Sequence, residues 1–240
     1  MRTGVPLVVA SSLFGASTQT RTAAFTTWVC FLRKELQPFV RMPDLHEVRE
    51  YAPKSFTLAG LENGIVVLDA TELEIVRVWQ TDLAYVLYST YKRRPTGKYL
   101  LGLTPAGAIC FISNMYGCRL SDTEVVVRSG FIDLLAAKGF GPGVEVMADR
   151  GFNPIARHLL RVGIKMTVPP SARKGEERFT GIDADESRTV AKLRIHVERA
   201  IGSLKQWRLL NTKFTSKNMD LIPSVVDVCA SLVNILNSPF

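Results

Sequence analysis

Three acidic residues in this chain of 240 stand where carboxylates could hold a hard metal ion: Asp69, Asp149 and Glu198. Asp69 closes the apolar run "IVVLD", and Asp149 closes "VEVMAD" just before "RGF". Carboxylate oxygens are the donors that Mg²⁺ and Mn²⁺ prefer. An acid at the end of an apolar strand is shielded on one side and can face a cleft. It can equally cap the turn that follows, and for a single such residue that is the commoner role. Two of them at the ends of separate apolar runs make a stronger pattern than either alone.

Glu198 lies in "LRIHVERAIGSLKQWRLL", which has helical periodicity. At about 100° per residue, Val190, Leu193, Val197, Ile201 and Leu204 form one narrow apolar stripe, and Glu198 falls roughly 90° from its centre. One reading is a surface pair with Arg194 one turn back, worth about 0.3–0.5 kcal/mol when exposed. The other is functional, because Gly202 on the same side leaves room for a close approach. Helix geometry alone favours the surface pair. Of the remaining acids, Glu72 is turned to the opposite face from Asp69 if the strand continues, and Asp122 reads with Ser121 as a helix cap. Other chemistries lack their motifs. "GFGPG" at 139–143 precedes a strand instead of following one, "TGKY" at 96–99 is no phosphate loop, and neither a GxSxG nor a plausible Cys/His pair is present.

The elements that must position these acids can be read in order. The first sixty residues read as helical: "STQTRTAAFTTWVCFLRKEL" places Ala24, Trp28, Phe31 and Leu32 on a stripe, and Pro43 and Asp44 start a second helix. "APKSFTLAGLENG" reads as a turn-rich connector. From residue 65 come a short buried strand "GIVVLDATE", a hairpin over "KYLLGLTPAGAICFISNMYG", a helix "DTEVVVRSGFIDLLAAKG", the strand "VEVMAD", a short helix "NPIARHLLRVG" and the strand "IKMTVP". A polar stretch, "PSARKGEERFTGIDADES", then leads into the long helix of Glu198. Antiparallel strands first and alternating strands and helices later imply an α/β fold, a mixed sheet flanked by helices.

Charge points to an anionic partner. The net charge is +8 with a pI near 9.5, and residues 149–217 hold 15 Lys+Arg against 7 Asp+Glu, so this segment alone accounts for the excess. Cys30, Cys110, Cys118 and Cys229 show no CxxC spacing and there are only three histidines, which argues against zinc and against a disulfide framework. The apolar start "MRTGVPLVVASSLFGAST" is broken by Pro6, Ser11 and Ser12, a poor signal peptide. "LIPSVVDVCASLVNILN" contains Pro223, Asp227 and two asparagines and reads as a buried core helix, with no membrane span expected.

The ordered set "VVLDATE", "YSTYKRRPTGKYLLGLTPAGAICFISNMYGCRLSDTE", "VMADRGF", "VPPSARKG" and "LRIHVERAIGSLKQWRLL" resembles the DDE transposase-like nucleases of the PIF/Harbinger superfamily, from about residue 10 onward. The resemblance implies an RNase H-like fold over residues 61–240, preceded by a helical segment over 1–60 with part of a helix-turn-helix. It implies a metal-dependent DNA endonuclease of transposase type, with strand transfer as a possible second step. By matching motif, the catalytic and metal-binding residues are Asp69, Asp149 and Glu198, holding two Mg²⁺ or Mn²⁺ ions. Arg150, Arg194, Arg199 and Lys205 are candidate DNA contacts. A nuclear location, a Myb-like DNA-binding partner and a homo-oligomer are further implications. The contrasting expectation is a domesticated, non-cleaving DNA-binding or adaptor protein. Ala70 stands where relatives often have Cys, "YKRRPTGK" departs from the usual segment, and the helix-turn-helix lacks its upstream helices.

Overall fold

A computed structural model describes residues 4–58, 60–76, 80–168, 198–211, 214 and 216–237. The polar stretch before the Glu198 helix, and Arg194 with the expected surface pair, lie outside the described residues.

The chain begins with helices α1 (Leu7–Phe14) and α2 (Thr18–Leu36), separated by Gly15 in the left-handed conformation and started by Ser17, whose side chain accepts from Thr20 N. Helix α3 (Leu45–Glu50) opens with a capping box between Asp44 and Glu47, as Pro43 and Asp44 predict. Arg41 holds the Glu47 carboxylate down to about 2 through a two-pronged ion pair. The expected connector contains a further short helix, α4 (Lys54–Leu58), because Phe56 finds a core site. The stripe expected on α2 is also rotated. Phe25, Val29 and Leu32 face inward, whereas Trp28 and Phe31 are 61% and 50% exposed and stack edge-to-face on the outside.

Strand β1 (Gly64–Glu74) is followed by α5 (Thr81–Leu87), which the pattern reading missed, then by β2 (Tyr88–Ser89), β3 (Arg94–Leu103), β4 (Ile109–Ile112) and β5 (Tyr116–Gly117). The hairpin turn between β3 and β4 closes on Thr104 and Gly107, as the Thr-Pro-Ala-Gly run predicts. The single helix expected after Ser121 is two, α6 (Asp122–Arg128) and α7 (Phe131–Ala137), because Gly130 adopts a left-handed conformation between them. Strand β6 (Glu145–Ala148), a 3₁₀ turn over Arg150–Ile155, α8 (Ala156–Arg161) and β7 (Lys165–Thr167) follow. The Glu198 helix is helical over 198–205 (α9). It breaks at Gln206 and Trp207 before α10 (Arg208–Asn211), so it is not the continuous helix to residue 210 that its periodicity predicts. Helix α11 (Ile222–Asn237) completes the described chain.

These strands make one mixed sheet in the order β2-β3-β1-β6-β7, with β4 and β5 also pairing with β3. β3 is antiparallel to β1, and β6 and β7 are parallel to it. Alternation along β1 sends its residues to two separate cores. Val67 and Leu73 join Tyr99, Leu101 and Met147 on one face. Val66 and Leu68 join Leu100, Val146 and Ala148 on the other. Helix α11 covers the first face through Val225, Val226, Cys229 and Val233, with α9 beside it through Ala200, Ile201 and Leu204. Val125, Phe131, Leu135 and Leu159 of α6, α7 and α8 cover the second. The apolar length of α11 is thus used inside the core, as Pro223, Asp227 and its two asparagines suggest from the sequence.

Asn234 ties α11 to this arrangement. Its buried side-chain amide accepts from Ile109 N at 2.9 Å and donates to Ile109 O at 2.8 Å and to Phe39 O at 2.6 Å. It therefore stands in for a strand partner at the edge of β4 and for one on the turn after α2. Replacing it by Leu leaves the two buried backbone groups of Ile109 and the part-buried carbonyl of Phe39 without this partner, each buried group costing about 1–3 kcal/mol. Asn234→Leu is expected to lower unfolding stability by roughly 3–5 kcal/mol in total, measured by denaturant titration. A change below 1 kcal/mol would show that the bridge is replaced by water.

Candidate active site

Asp69 is not at the end of its strand. β1 runs five residues further, paired with β3 down to Glu74↔Thr96. On its other edge, however, the parallel pairing with β6 stops at Leu68↔Ala148. Asp69 and Asp149 each follow one member of that last pair. Register therefore sets them across from each other on neighbouring strands, whose spacing is about 4.8 Å. Both lie on the face that holds Val67 and Met147, the face α9 and α11 cover. Asp149 keeps an extended backbone, φ −72° and ψ 166°, so the alternation of β6 carries through it.

The two aspartates share a local device. The Asp69 Oδ1 accepts from Ala70 N at 2.8 Å, and the Asp149 Oδ1 accepts from Arg150 N at 2.7 Å. Each thus satisfies the amide of the residue that follows it, just past the last rung between β1 and β6. Both side chains are half-buried. Thr71, two residues on from Asp69 and on the same face, buries its hydroxyl without a hydrogen-bond partner among the described residues. Hard carboxylate oxygens on adjacent strands beside an orphaned hydroxyl fit a divalent cation in donor type.

Glu198 is the first described residue of α9 and is exposed. Ala200, Ile201 and Leu204 anchor that helix in the same core as Val67 and Met147, so Glu198 belongs to the aspartates' side of the sheet. The three acids do not stand together as a ligand set: among the described residues, no three His, Cys, Asp or Glu side chains gather closely enough to hold a metal ion. A side chain at Gly202 would meet nothing within 4 Å among the described residues, so the space the sequence implied there is open.

The other acids are committed elsewhere. Strand β1 continues, so Glu72 does turn away from Asp69, and it accepts from the Thr96 hydroxyl at 2.8 Å. Ser121, not Asp122, is the helix cap, reciprocated by Glu124. The Asp122 carboxylate instead pairs at 2.9 Å with Lys98, whose side chain is only 12% exposed and also donates to Leu120 O. Pattern reading missed this pair because its partners are 24 residues apart. A side chain at Gly151 would touch Asp122, so the pair packs against the turn that follows Asp149. Cys118, beside Thr96, is pushed up to about 11 by burial and stays a thiol at neutral pH.

Between Leu68 and the point where Phe214 bridges Ile75, β1 lines a cleft of about 530 Å³ through Ala70–Glu74. Lys205, Asn211, Lys98, Asp122, Tyr91 and Arg94 line it as well. Of the candidate DNA contacts, Lys205 therefore lines this cleft, while Arg150 and Arg199 are exposed next to the acids in sequence. The described cysteines are all unpaired.

A family model described as DDE superfamily endonuclease matches residues 68–234, which spans Asp69, Asp149 and Glu198. No curated protein and no solved structure matches the chain.

The Lys98–Asp122 pair gives a test of how the turn after Asp149 is held. Lys98→Met, Asp122→Asn and the double variant are expected to yield a coupling of about 1–2 kcal/mol in a double-mutant cycle of unfolding free energies. Additive single effects would show the pair to be incidental.

Proposed function

Because the chain belongs to the DDE superfamily endonucleases, we propose that it is a divalent-metal-dependent DNA endonuclease of transposase type, and that its subtype is PIF/Harbinger. The observation that carries the reading is the placement of Asp69 and Asp149 one residue past the last β1–β6 rung, on one face of a mixed sheet. The strand order supports an RNase H-like assignment, with residues 61–240 as the nuclease domain and α1–α2 as part of a helix-turn-helix.

In this reading Asp69 and Asp149 hold the cation site and Glu198 completes it from α9. Mg²⁺ or Mn²⁺, two ions in the proposed form, would supply Lewis acidity and a water of lowered pKa. The carboxylates orient what they hold, and their mutual repulsion is relieved only when cations are present. Arg150, Arg199 and Lys205 bring positive charge to the phosphates, with Arg194 as a fourth candidate. Attack of water on a phosphodiester breaks the P–O bond and leaves a 3′-hydroxyl, which could attack a second DNA in strand transfer. A nuclear location, a Myb-like partner and homo-oligomerisation belong to the same proposal.

A second reading is a non-cleaving DNA-binding or adaptor protein. What favours it is that Glu198 does not stand in one ligand group with the aspartates among the described residues.

Nicking of terminal-repeat DNA with Mn²⁺ or Mg²⁺ tests the first reading. Asp69→Asn, Asp149→Asn and Glu198→Gln should each lower the rate by about 10²–10³-fold or more, the scale on which removing one charge-stabilising group acts. Activity that survives all three substitutions would exclude this site, and DNA binding without wild-type cleavage would select the adaptor. DNA affinity should also fall steeply with salt. Lys205→Ala should reduce the slope of log K against log salt by roughly one, and an unchanged slope would remove Lys205 from the interface.

A further inference from the structure

The turn between β2 and β3 presents an aromatic ring and cations together. Tyr91 is 83% exposed, the highest value for any aromatic side chain among the described residues; the Lys92 ammonium lies over one face of its ring, 4.8 Å from the centre, and Arg93 is exposed beside them. The turn is built to hold that display. Ser89 and Arg94 pair across its base, and buried Ser89 accepts from Lys92 N at 3.1 Å. Arg94 is anchored by Glu74 at 3.1 Å. Arg93 adopts φ 53°, a left-handed conformation that Gly or Asn ordinarily occupies and that is unfavourable for a residue with a longer side chain. It is the one non-glycine residue with positive φ among those described. A cation kept at a strained position is a sign of use more than of folding convenience. Nearby, Arg119 lies over the Tyr85 ring at 3.7 Å and donates to the Tyr85 carbonyl, which adds a second aromatic–cation unit at the same end of the sheet.

Tyr91, Lys92 and Arg94 of the same turn line the cleft along β1. Asp69 and Glu74 are five residues apart on that strand, about 17 Å at the rise of an extended chain. Cations alone would serve a duplex, whose base faces are hidden in the stack. An exposed ring gains from a base whose face is free.

We propose that Tyr91 is a stacking platform for an unpaired base of the DNA strand in the cleft, with Lys92 and Arg93 holding the adjoining phosphates. The identity of the polymer rests on the nuclease reading above. The contact itself does not require cleavage.

The test is binding of the full chain, without divalent metal, to a blunt duplex and to the same duplex bearing a single-stranded extension with a fluorescent purine analogue. Wild type should prefer the extended duplex and change the analogue's emission. Tyr91→Ala should lose affinity for the extended duplex by roughly tenfold, the scale of one base–aromatic stack, and should leave blunt-duplex affinity unchanged. Tyr91→Phe should behave as wild type, since stacking needs the ring and not the hydroxyl. Arg93→Gly relieves the strained backbone and should unfold no more easily, yet should bind the extension less tightly. Equal wild-type affinity for the two duplexes, or a Tyr91→Ala chain indistinguishable from wild type, overturns the proposal even if metal-dependent cleavage is intact. Preference for the extension supports the platform, and if the separate Mg²⁺ or Mn²⁺ nicking assay then shows no cleavage by the same wild-type chain, the nuclease reading alone is overturned. Failure to bind either oligonucleotide overturns both.

Discussion

The parallel pairing of β1 with β6 stops at Leu68 and Ala148, while the antiparallel pairing of β1 with β3 runs on to Glu74, and much of the molecule follows from that mismatch. A strand cannot leave backbone donors unpaired without giving them another partner. Asp69 and Asp149 answer this locally, each accepting from the next residue's amide. The same mismatch frees one edge of β1 and so creates the cleft along it. The register positions of the two aspartates and the groove along β1 thus have one origin, the unequal reach of β1's pairings with its two neighbours.

Holding that register requires both faces of β1 to be covered, since a slip by one residue would exchange Val67 for Leu68 and turn Asp69 into the opposite core. The two cores oppose such a slip from opposite sides. Apolar residues of α6, α7 and α8 fill the second face, and α11 and α9 fill the first. The Asn234 amide locks α11 against the edge of β4 and the turn after α2. On the second face the Lys98–Asp122 pair joins β3 to the start of α6, against the turn that follows Asp149.

Most elements were legible because they carry local signals. The apolar runs of β1 and β6, the Thr-Pro-Ala-Gly turn, the Asp44 start of α3 and the buried character of α11 all show in residue order. The failures have physical reasons. Trp28 and Phe31 share helical spacing with Leu32, but periodicity cannot say which stripe meets the core, and Phe25 and Val29 do. Gly130 inside an apolar helical pattern is a left-handed break, and Gln206–Trp207 ends a helix that its stripe would have continued. The length of β1 beyond Asp69 depends on β3, a partner more than twenty residues away.

The residue types by themselves determined that Asp69 and Asp149 stand at the trailing ends of apolar runs, that Glu198 rides on an amphipathic helix, and that the charge excess lies in the last part of the chain. These are properties of local order, of hydropathy period and of composition. What only tertiary structure decided is where strands stop relative to one another. Register set the two aspartates one residue past the last β1–β6 rung on one face, turned Glu72 away, recruited Asp122 to Lys98 and left a cleft along β1 that Tyr91 helps to line. Each of these joins residues far apart in the chain. Such contacts are selected by which faces can be buried together, and no local pattern encodes that choice.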